Sequence, residues 1–149
     1  MITWQCKIFS ELSAEELYKI LQLRNEVFIV EQNCPYQDCD NKDLKAYHLA
    51  AWDDENLVAY TRLLPKEISY PGAASIGRVV TSPKVRGKNL GKELMTNSIN
   101  KIYSLFGRIP IIIGAQLYLK SFYETFSFVQ EGDEYLEDGI PHIIMKKAL

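Results

Sequence analysis

The amino-acid sequence predicts a mixed α/β fold with about seven strands and three main helices. Three observations indicate this fold. The chain has 149 residues, 47% of them apolar, which suits one domain over residues 1–149 with a single core. Several segments alternate polar and apolar residues and are rich in the β-branched and aromatic side chains that favour strands. Two long segments instead repeat apolar residues at helical spacing.

The first half of the chain is predicted to form a strand, a helix and a hairpin. Thr3 to Phe9 alternate in the manner of a strand. The sequence Ser13-Ala14-Glu15-Glu16 is typical of a capping box, so a helix should begin there and continue to about Val30. The remaining elements are a loop over residues 31–45 and two strands that form a hairpin, Tyr47 to Trp52 and Leu57 to Leu64.

The second half is predicted to form four more strands and two more helices. Ser75 to Thr81 is a short strand, and the basic segment after it leads into a helix that should end near Phe106. Ile111 to Ala115 is a continuous apolar run, which indicates a strand buried on both faces. The last elements are a short helix, Tyr118 to Phe126, and a hairpin of two strands, Phe128 to Tyr135 and Ile140 to Lys147. The hairpin should turn at Asp138-Gly139.

Composition and charge argue against several classes of function. The chain carries 17 basic and 19 acidic residues, a balance of −2, which does not suit a general nucleic-acid binder. No apolar run approaches the ~18 residues that span a bilayer, and the first residues do not resemble a signal peptide. The odd number of cysteines, three, does not suggest a disulfide framework. We therefore expect a cytoplasmic protein that binds neither nucleic acid nor membrane.

The loop after the first helix carries groups that could suggest a metal site. The possible ligands are the two cysteines Cys34 and Cys39 and the nearby His48, which fall short of the four-ligand pattern of zinc. We therefore expect no metal. The carboxylates of the same loop are expected to be solvated: Asp38, Asp40 and Asp43.

The most informative segment is a strand followed by a basic, glycine-containing turn and a helix. The amides at a helix start are unpaired and carry partial positive charge, so such an end binds phosphate groups. Gly87 and Gly91 allow close approach of the backbone, and Asn89 tolerates a positive φ. Three cations add to the preference for a diphosphate: Arg86, Lys88 and Lys92. The glycine spacing matches neither a Walker motif nor a Rossmann fingerprint. The alternative remains that the segment is simply a basic helix start that binds no ligand.

This segment, Arg86-Gly87-Lys88-Asn89-Leu90-Gly91, resembles motif A of the GNAT N-acetyltransferase superfamily, with Asn89 where the family has its first glycine. A second stretch, Gln116 followed by Phe122 to Phe128, resembles the family's C-terminal motif, with Ser127 where glycine is usual. Residues 23–32 and 137–142 resemble the ElaA-like branch of the superfamily. The resembling segments together extend over nearly the whole chain.

The resemblance implies a GNAT-like fold, a mixed and mostly antiparallel central sheet with flanking helices, that binds acetyl-CoA against strands four and five. Strand four would bind the pantetheine arm through its backbone, and the basic turn would bind the diphosphate through its amides. The implied cofactor-binding residues are Val79, Val80, Thr81, Arg86, Gly87, Lys88, Asn89, Leu90, Gly91, Lys92 and Gln116.

The family reaction is direct transfer of the acetyl group to an amine when both substrates are bound. Tyr123 matches the family's position for the acid that protonates the thiolate, although an aromatic residue on a short helix can also simply pack. The general base is expected to be Glu31 or His142, with His48 a further possibility.

The acceptor site is expected to involve Arg24, Glu31 and His48. Arg24 lies on the inward face of the first helix and would bind a substrate carboxylate or form an internal salt bridge with Glu31 or Asp43. His48 would contact the acceptor or be a structural histidine in its strand.

Two other classes of function remain open at this point. One is a domain that binds acetyl-CoA as a sensor without turnover, and the other is a module whose basic turn binds ATP. The acceptor, if there is one, would be a small-molecule or peptide amine, and a homodimer is possible.

Overall fold

Two antiparallel sheets form the centre of the computed structural model, which describes all residues 1–149. The first sheet has the order β1-β2-β3-β4, and the second has the order β5-β7-β6. The strands are β1 (Ile2–Ile8), β2 (Tyr47–Asp53), β3 (Asn56–Leu64), β4 (Ser75–Thr81), β5 (Ile111–Gln116), β6 (Val129–Glu137) and β7 (Ile140–Lys147). The mixed fold with seven strands is therefore confirmed.

The helices are α1 (Ala14–Arg24), α2 (Leu90–Phe106) and α3 (Lys120–Glu124). α1 begins at the predicted capping box, where Ser13 Oγ accepts a bond of 3.0 Å from the Glu16 amide and Glu16 Oε1 accepts one of 2.8 Å in return. The predicted helix does continue beyond Arg24, but residues Asn25–Glu31 form a π-helical segment. Such segments are rare and occur often at functional sites.

The two sheets meet only where β4 and β5 begin. Ala74 and Ile111 form a parallel bridge, in which the Ile112 amide donates to Ala74 O at 2.9 Å and the Ala74 amide donates to Pro110 O at 3.0 Å. Beyond this bridge the two strands belong to different sheets. A gap therefore opens between β4 and β5 towards their carboxyl ends, and α2 and α3 flank it.

The main core lies between α2 and the two sheets and contains 19 buried apolar residues. Leu94, Met95 and Ile102 of α2 are fully buried in it, and full burial of such a side chain contributes about 1.5–3 kcal/mol. A second cluster of 5 buried residues attaches α1 and the π-helical segment to β3 and β4. No helix is both long and apolar enough to cross a membrane.

The prediction that β5 is buried on both faces is wrong. Ile111, Ile113 and Ala115 are buried, but Gly114 is exposed and Gln116 is half-exposed. The reason is that this part of β5 borders the gap between the sheets instead of a second layer of core.

Candidate active site

A cleft of about 460 Å³ occupies the gap between β4 and β5. The π-helical segment and the loop after it form one wall, and the turn between β6 and β7 forms another. The start of α2 and one side of α3 complete it. The cleft brings together groups that the sequence predicts as cofactor, acid and base residues.

β4 contains a bulge where it borders the cleft. Gly77 pairs with Arg62 and Val80 pairs with Tyr60, so Thr61 faces two residues of β4, Arg78 and Val79. Arg78 has a φ of 50°, which is uncommon for a non-glycine residue. A bulge interrupts the hydrogen-bond ladder and bends the strand. The predicted pantetheine-binding residues Val79, Val80 and Thr81 all line the cleft at this bend.

The turn before α2 has the backbone geometry that its sequence predicts. Asn89 adopts the left-handed conformation, with φ 59°, and Gly87 has φ 85°. Asn89 is the N-cap of α2, but no side chain of the protein accepts a hydrogen bond from this helix start. The first amides of α2 are thus free to bind an anion.

The predicted diphosphate residues occupy different positions around this helix start. Arg86 and Gly91 line the cleft. Lys88 and Lys92 are exposed residues beside it, and the side chain of Leu90 is buried in the core, so that Leu90 offers only its backbone. Gly87 and Asn89 are exposed turn residues that shape the backbone.

An ion pair joins Arg86 to Glu31 across the cleft. The two nitrogens Nη1 and Nη2 of Arg86 lie 2.8 and 2.7 Å from the two carboxylate oxygens of Glu31, and both side chains are partly exposed. The hydrogen bond from Arg86 lowers the pKa of Glu31 and raises that of Arg86. Because a carboxylate with a lowered pKa is a weaker proton acceptor, this pairing makes Glu31 less suited to act as the general base.

Tyr123 of α3 faces the cleft from an apolar environment. Its side chain is 5% exposed and makes edge-to-face contacts with Phe122 and Phe128, at ring distances of 5.2 and 6.2 Å. Burial raises the pKa of Tyr123, with a smaller contribution from Tyr118. The phenol is therefore protonated at neutral pH, and no protein group binds its hydroxyl.

His142 lies on the wall of the cleft between two strands. It is opposite Gln116 of β5 and Tyr135 of β6, and its ring lies 5.8 Å from that of Tyr135. His142 Nδ1 lies 2.7 Å from Ile140 O, and since a carbonyl only accepts, Nδ1 carries the proton. The lone pair of a neutral His142 is therefore on Nε2, which lies 3.4 Å from the Glu137 carboxylate.

Arg24 and His48 do not line the cleft, so their predicted contact with an acceptor does not fit their positions. Arg24 is completely buried, with Nε 2.7 Å from Asp38 and Nη1 2.8 Å from Asp43. The alternative of an internal salt bridge with Asp43 is the one observed, whereas Glu31 is not its partner. His48 is also buried, with Nδ1 2.6 Å from the Tyr60 hydroxyl and Nε2 2.9 Å from Asp43 O.

The expectation of a solvated acidic loop is wrong, because its carboxylates bind arginines from three different elements. Asp38 and Asp43 are buried, and the pKa of Asp43 is lowered by its arginine partners against the opposing effect of burial. Arg62 of β3 lies 2.7 Å from Asp40, and Arg78 of β4 lies 2.7 Å from Asp38. The loop is thereby fixed against β3 and β4.

Several residues of the cleft were not predicted as site residues. Gln32 pairs with the predicted Gln116, whose Nε2 donates to Gln32 Oε1 at 3.1 Å. Cys34 Sγ lies 3.3 Å from Asp138 O, which connects the loop after the π-helical segment to the β6–β7 turn. The other unpredicted lining residues include Tyr36, Arg78 and Glu137. Their side chains meet only through the packing of the loop, which no local pattern in the sequence indicates.

Comparisons with known proteins agree with this arrangement. A family model described as an acetyltransferase (GNAT) domain matches residues 9–149. Protein ElaA of Escherichia coli is 43% identical over an alignment that covers 100% of this chain and 98% of ElaA. The crystal structure of E. coli ElaA superposes with a TM-score of 0.92, covering 99% of each chain.

Two further solved structures are similar. An acyl-CoA N-acyltransferase from Pseudomonas aeruginosa is 44% identical and superposes with a TM-score of 0.94, covering 99% of this chain and 100% of that one. A GNAT family acetyltransferase from Elizabethkingia anophelis, solved with acetyl-CoA bound, has a TM-score of 0.66 at 14% identity and covers 99% of this chain and 98% of its own. The second likeness concerns the fold alone.

Proposed function

The chain belongs to the GNAT acetyltransferase family, with ElaA-like relatives, and from this premise we propose that it transfers the acetyl group of acetyl-CoA to an amine. The acceptor would be a small molecule or a peptide amine. One observation carries the proposal: a single cleft connects the uncapped start of α2 to the unbonded hydroxyl of Tyr123. The free thiols Cys6, Cys34 and Cys39 are in keeping with a reducing, cytoplasmic location.

The proposed position of acetyl-CoA follows from the two backbone features of the cleft. The diphosphate would accept hydrogen bonds from the amides between Arg86 and Gly91, where the helix dipole also favours negative charge. The pantetheine arm would follow the bulged part of β4 as an extended chain, with Gln116 on the opposite side of the cleft. This path places the thioester between β4 and β5, beside Tyr123.

Transfer would begin when the amine attacks the thioester carbonyl carbon. Holding both substrates in one cleft makes this attack effectively intramolecular, which can lower the barrier substantially. The negative charge that develops on the carbonyl oxygen would be stabilised by an amide of the bulged segment, such as that of Val80. His142 Nε2 would be the base, because Glu31 is held by Arg86, whereas Nε2 carries the lone pair of a neutral His142.

The reaction would end with cleavage of the carbon–sulfur bond. The nitrogen–carbon bond has then formed, the amine proton has passed to His142, and the electron pair of the broken bond remains on the sulfur of coenzyme A. The Tyr123 hydroxyl would donate its proton to this thiolate. The phenol is protonated when the thiolate forms, as this role requires, but its raised pKa makes it a weaker proton donor than an unperturbed tyrosine.

The proposal is tested by acetyl-CoA consumption against a panel of amines, together with calorimetric binding of acetyl-CoA and ATP. We expect acetyl-CoA to bind and at least one amine to be acetylated. Tight binding of acetyl-CoA without acetylation of any amine would favour a sensor domain. Preferential binding of ATP would contradict the proposed ligand.

A further inference from the structure

The ionisable side chains that line the cleft differ sharply in how they are paired. At the cofactor end, Arg86 and Glu31 neutralise each other at 2.7 and 2.8 Å. Glu137 and Asp138 of the β6–β7 turn also line the cleft but have no lysine or arginine partner. Glu137 lies 3.4 Å from His142 Nε2, which is an ion pair only when His142 is protonated.

The second arginine that lines the cleft is also committed to partners within the protein. Arg78 lines the cleft, but its Nε lies 2.7 Å from Asp38 Oδ1 and its Nη2 donates to Asp38 O at 2.9 Å. Arg24 and Arg62 behind it are buried and paired with the same group of aspartates. Each of the three aspartates is shared by two of these arginines, so the three arginines and three aspartates form one network in which the charges balance. No cation is therefore available to bind an anionic group of an acceptor.

The β6–β7 turn is connected to the loop that follows the π-helical segment, since Cys34 Sγ lies 3.3 Å from Asp138 O. Within β7, Ile140 O lies 2.7 Å from His142 Nδ1 and orients the ring of that histidine. The cleft beside this turn also contains Tyr123, which is almost completely buried, lines the cavity and has no partner for its hydroxyl. The carboxylates of Glu137 and Asp138 thus border a cavity that is built to receive a ligand.

From this distribution we infer that the acceptor is a cationic amine, such as a diamine, whose second ammonium group binds the carboxylates of Glu137 and Asp138. The inference rests on the proposed acetyl transfer and specifies its substrate class. One amine loses its proton and attacks the thioester, while the other stays charged and faces the acidic turn. An acceptor that carries a carboxylate in place of the second ammonium group would instead be repelled, because its negative charge would face the carboxylates of Glu137 and Asp138 without a counterion.

Three compounds of equal chain length separate charge from size: 1,4-diaminobutane, n-butylamine and 4-aminobutanoate. We expect the diamine to bind the CoA-loaded protein about threefold or more tightly than the monoamine, and 4-aminobutanoate to bind most weakly. Calorimetry measures binding without any need for turnover. The kcat/KM values for acetylation should follow the same order.

The double variant E137Q/D138N removes the charges of both residues, and E134Q on the same strand as Glu137 is the matched control outside the cleft. The ratio of diamine to monoamine affinity should fall to about one in the double variant and stay unchanged in E134Q. The ratio cancels any effect of Glu137 on His142, because that effect is common to both amines.

The outcomes distinguish this inference from the proposed function. Binding in the expected order without acetylation would contradict acetyl transfer and leave the charge preference standing. Acetylation with equal preference for all three compounds, or with preference for 4-aminobutanoate, would overturn the inference and leave acetyl transfer standing. A diamine preference that survives in E137Q/D138N would also overturn it.

Discussion

The Tyr123 hydroxyl forms no hydrogen bond within the protein, although the residue is only 5% exposed. The hydroxyl is not one of the buried polar atoms that lack a partner, so the oxygen itself reaches the open cleft. A ligand in the cleft can therefore bind this hydroxyl without displacing a partner from the protein. At the scale of single residues, the proposed acid is thus a phenol in an apolar environment with a free hydroxyl.

Tyr123→Phe removes only this hydroxyl and should leave the packing against Phe122 and Phe128 intact. We expect kcat to fall by about tenfold to a hundredfold, because general acid catalysis is lost but a thiolate is a moderate leaving group. The acetyl-CoA affinity should stay near that of the wild type when measured by calorimetry. Tyr18→Phe, at an exposed site on α1, is the control. An unchanged kcat in Tyr123→Phe would remove this residue from the role of acid.

At the scale of elements, the Arg86–Glu31 ion pair joins the start of α2 to the π-helical segment across the cleft. The sequence predicts Arg86 as a cation for the diphosphate and Glu31 as a base, but it does not predict that they bind each other. An incoming diphosphate would compete with Glu31 for the Arg86 guanidinium. The two walls of the cleft are thus connected through the Arg86 guanidinium, to which the diphosphate of acetyl-CoA is proposed to bind.

Glu31→Gln should therefore tighten acetyl-CoA binding, because Arg86 no longer has to exchange one anion for another. An ion pair between partly exposed side chains contributes up to about 1 kcal/mol, which corresponds to about two- to fivefold in Kd. Glu26→Gln makes the same change of charge on the same segment, at an exposed residue that forms no ion pair. If calorimetry gave Glu31→Gln no advantage over Glu26→Gln, competition for Arg86 would be contradicted.

The elements themselves follow well from the sequence because their signals are local. The capping box at Ser13, the glycine-containing turn before α2 and the turn at Asp138 each act over a few residues, and each is found where it was predicted. The contacts of the acidic loop are different, since Asp38 and Arg78 are 40 positions apart and meet only in the folded chain. For the same reason the sequence alone could not predict that Arg24 and His48 lie outside the acceptor site.

At the scale of the whole molecule, two sheets that join at one bridge and then diverge create a cleft whose lining contains two chemically different regions. One is a helix start with free amides and nearby lysines, and the other is an acidic turn beside His142. Membership of the GNAT family shows the fold, and the cofactor site at the start of α2 is proposed from it. The acceptor end depends on a loop and a turn, where homologous folds vary most freely.

The most direct test of this account is the structure of the full chain crystallised with acetyl-CoA. The account predicts diphosphate oxygens at about 2.7–3.2 Å from amides between Arg86 and Gly91. It also predicts a pantetheine arm along the bulge of β4 and a thioester sulfur that faces the Tyr123 hydroxyl. A diphosphate bound away from the start of α2, or a thioester sulfur out of reach of Tyr123, would contradict it.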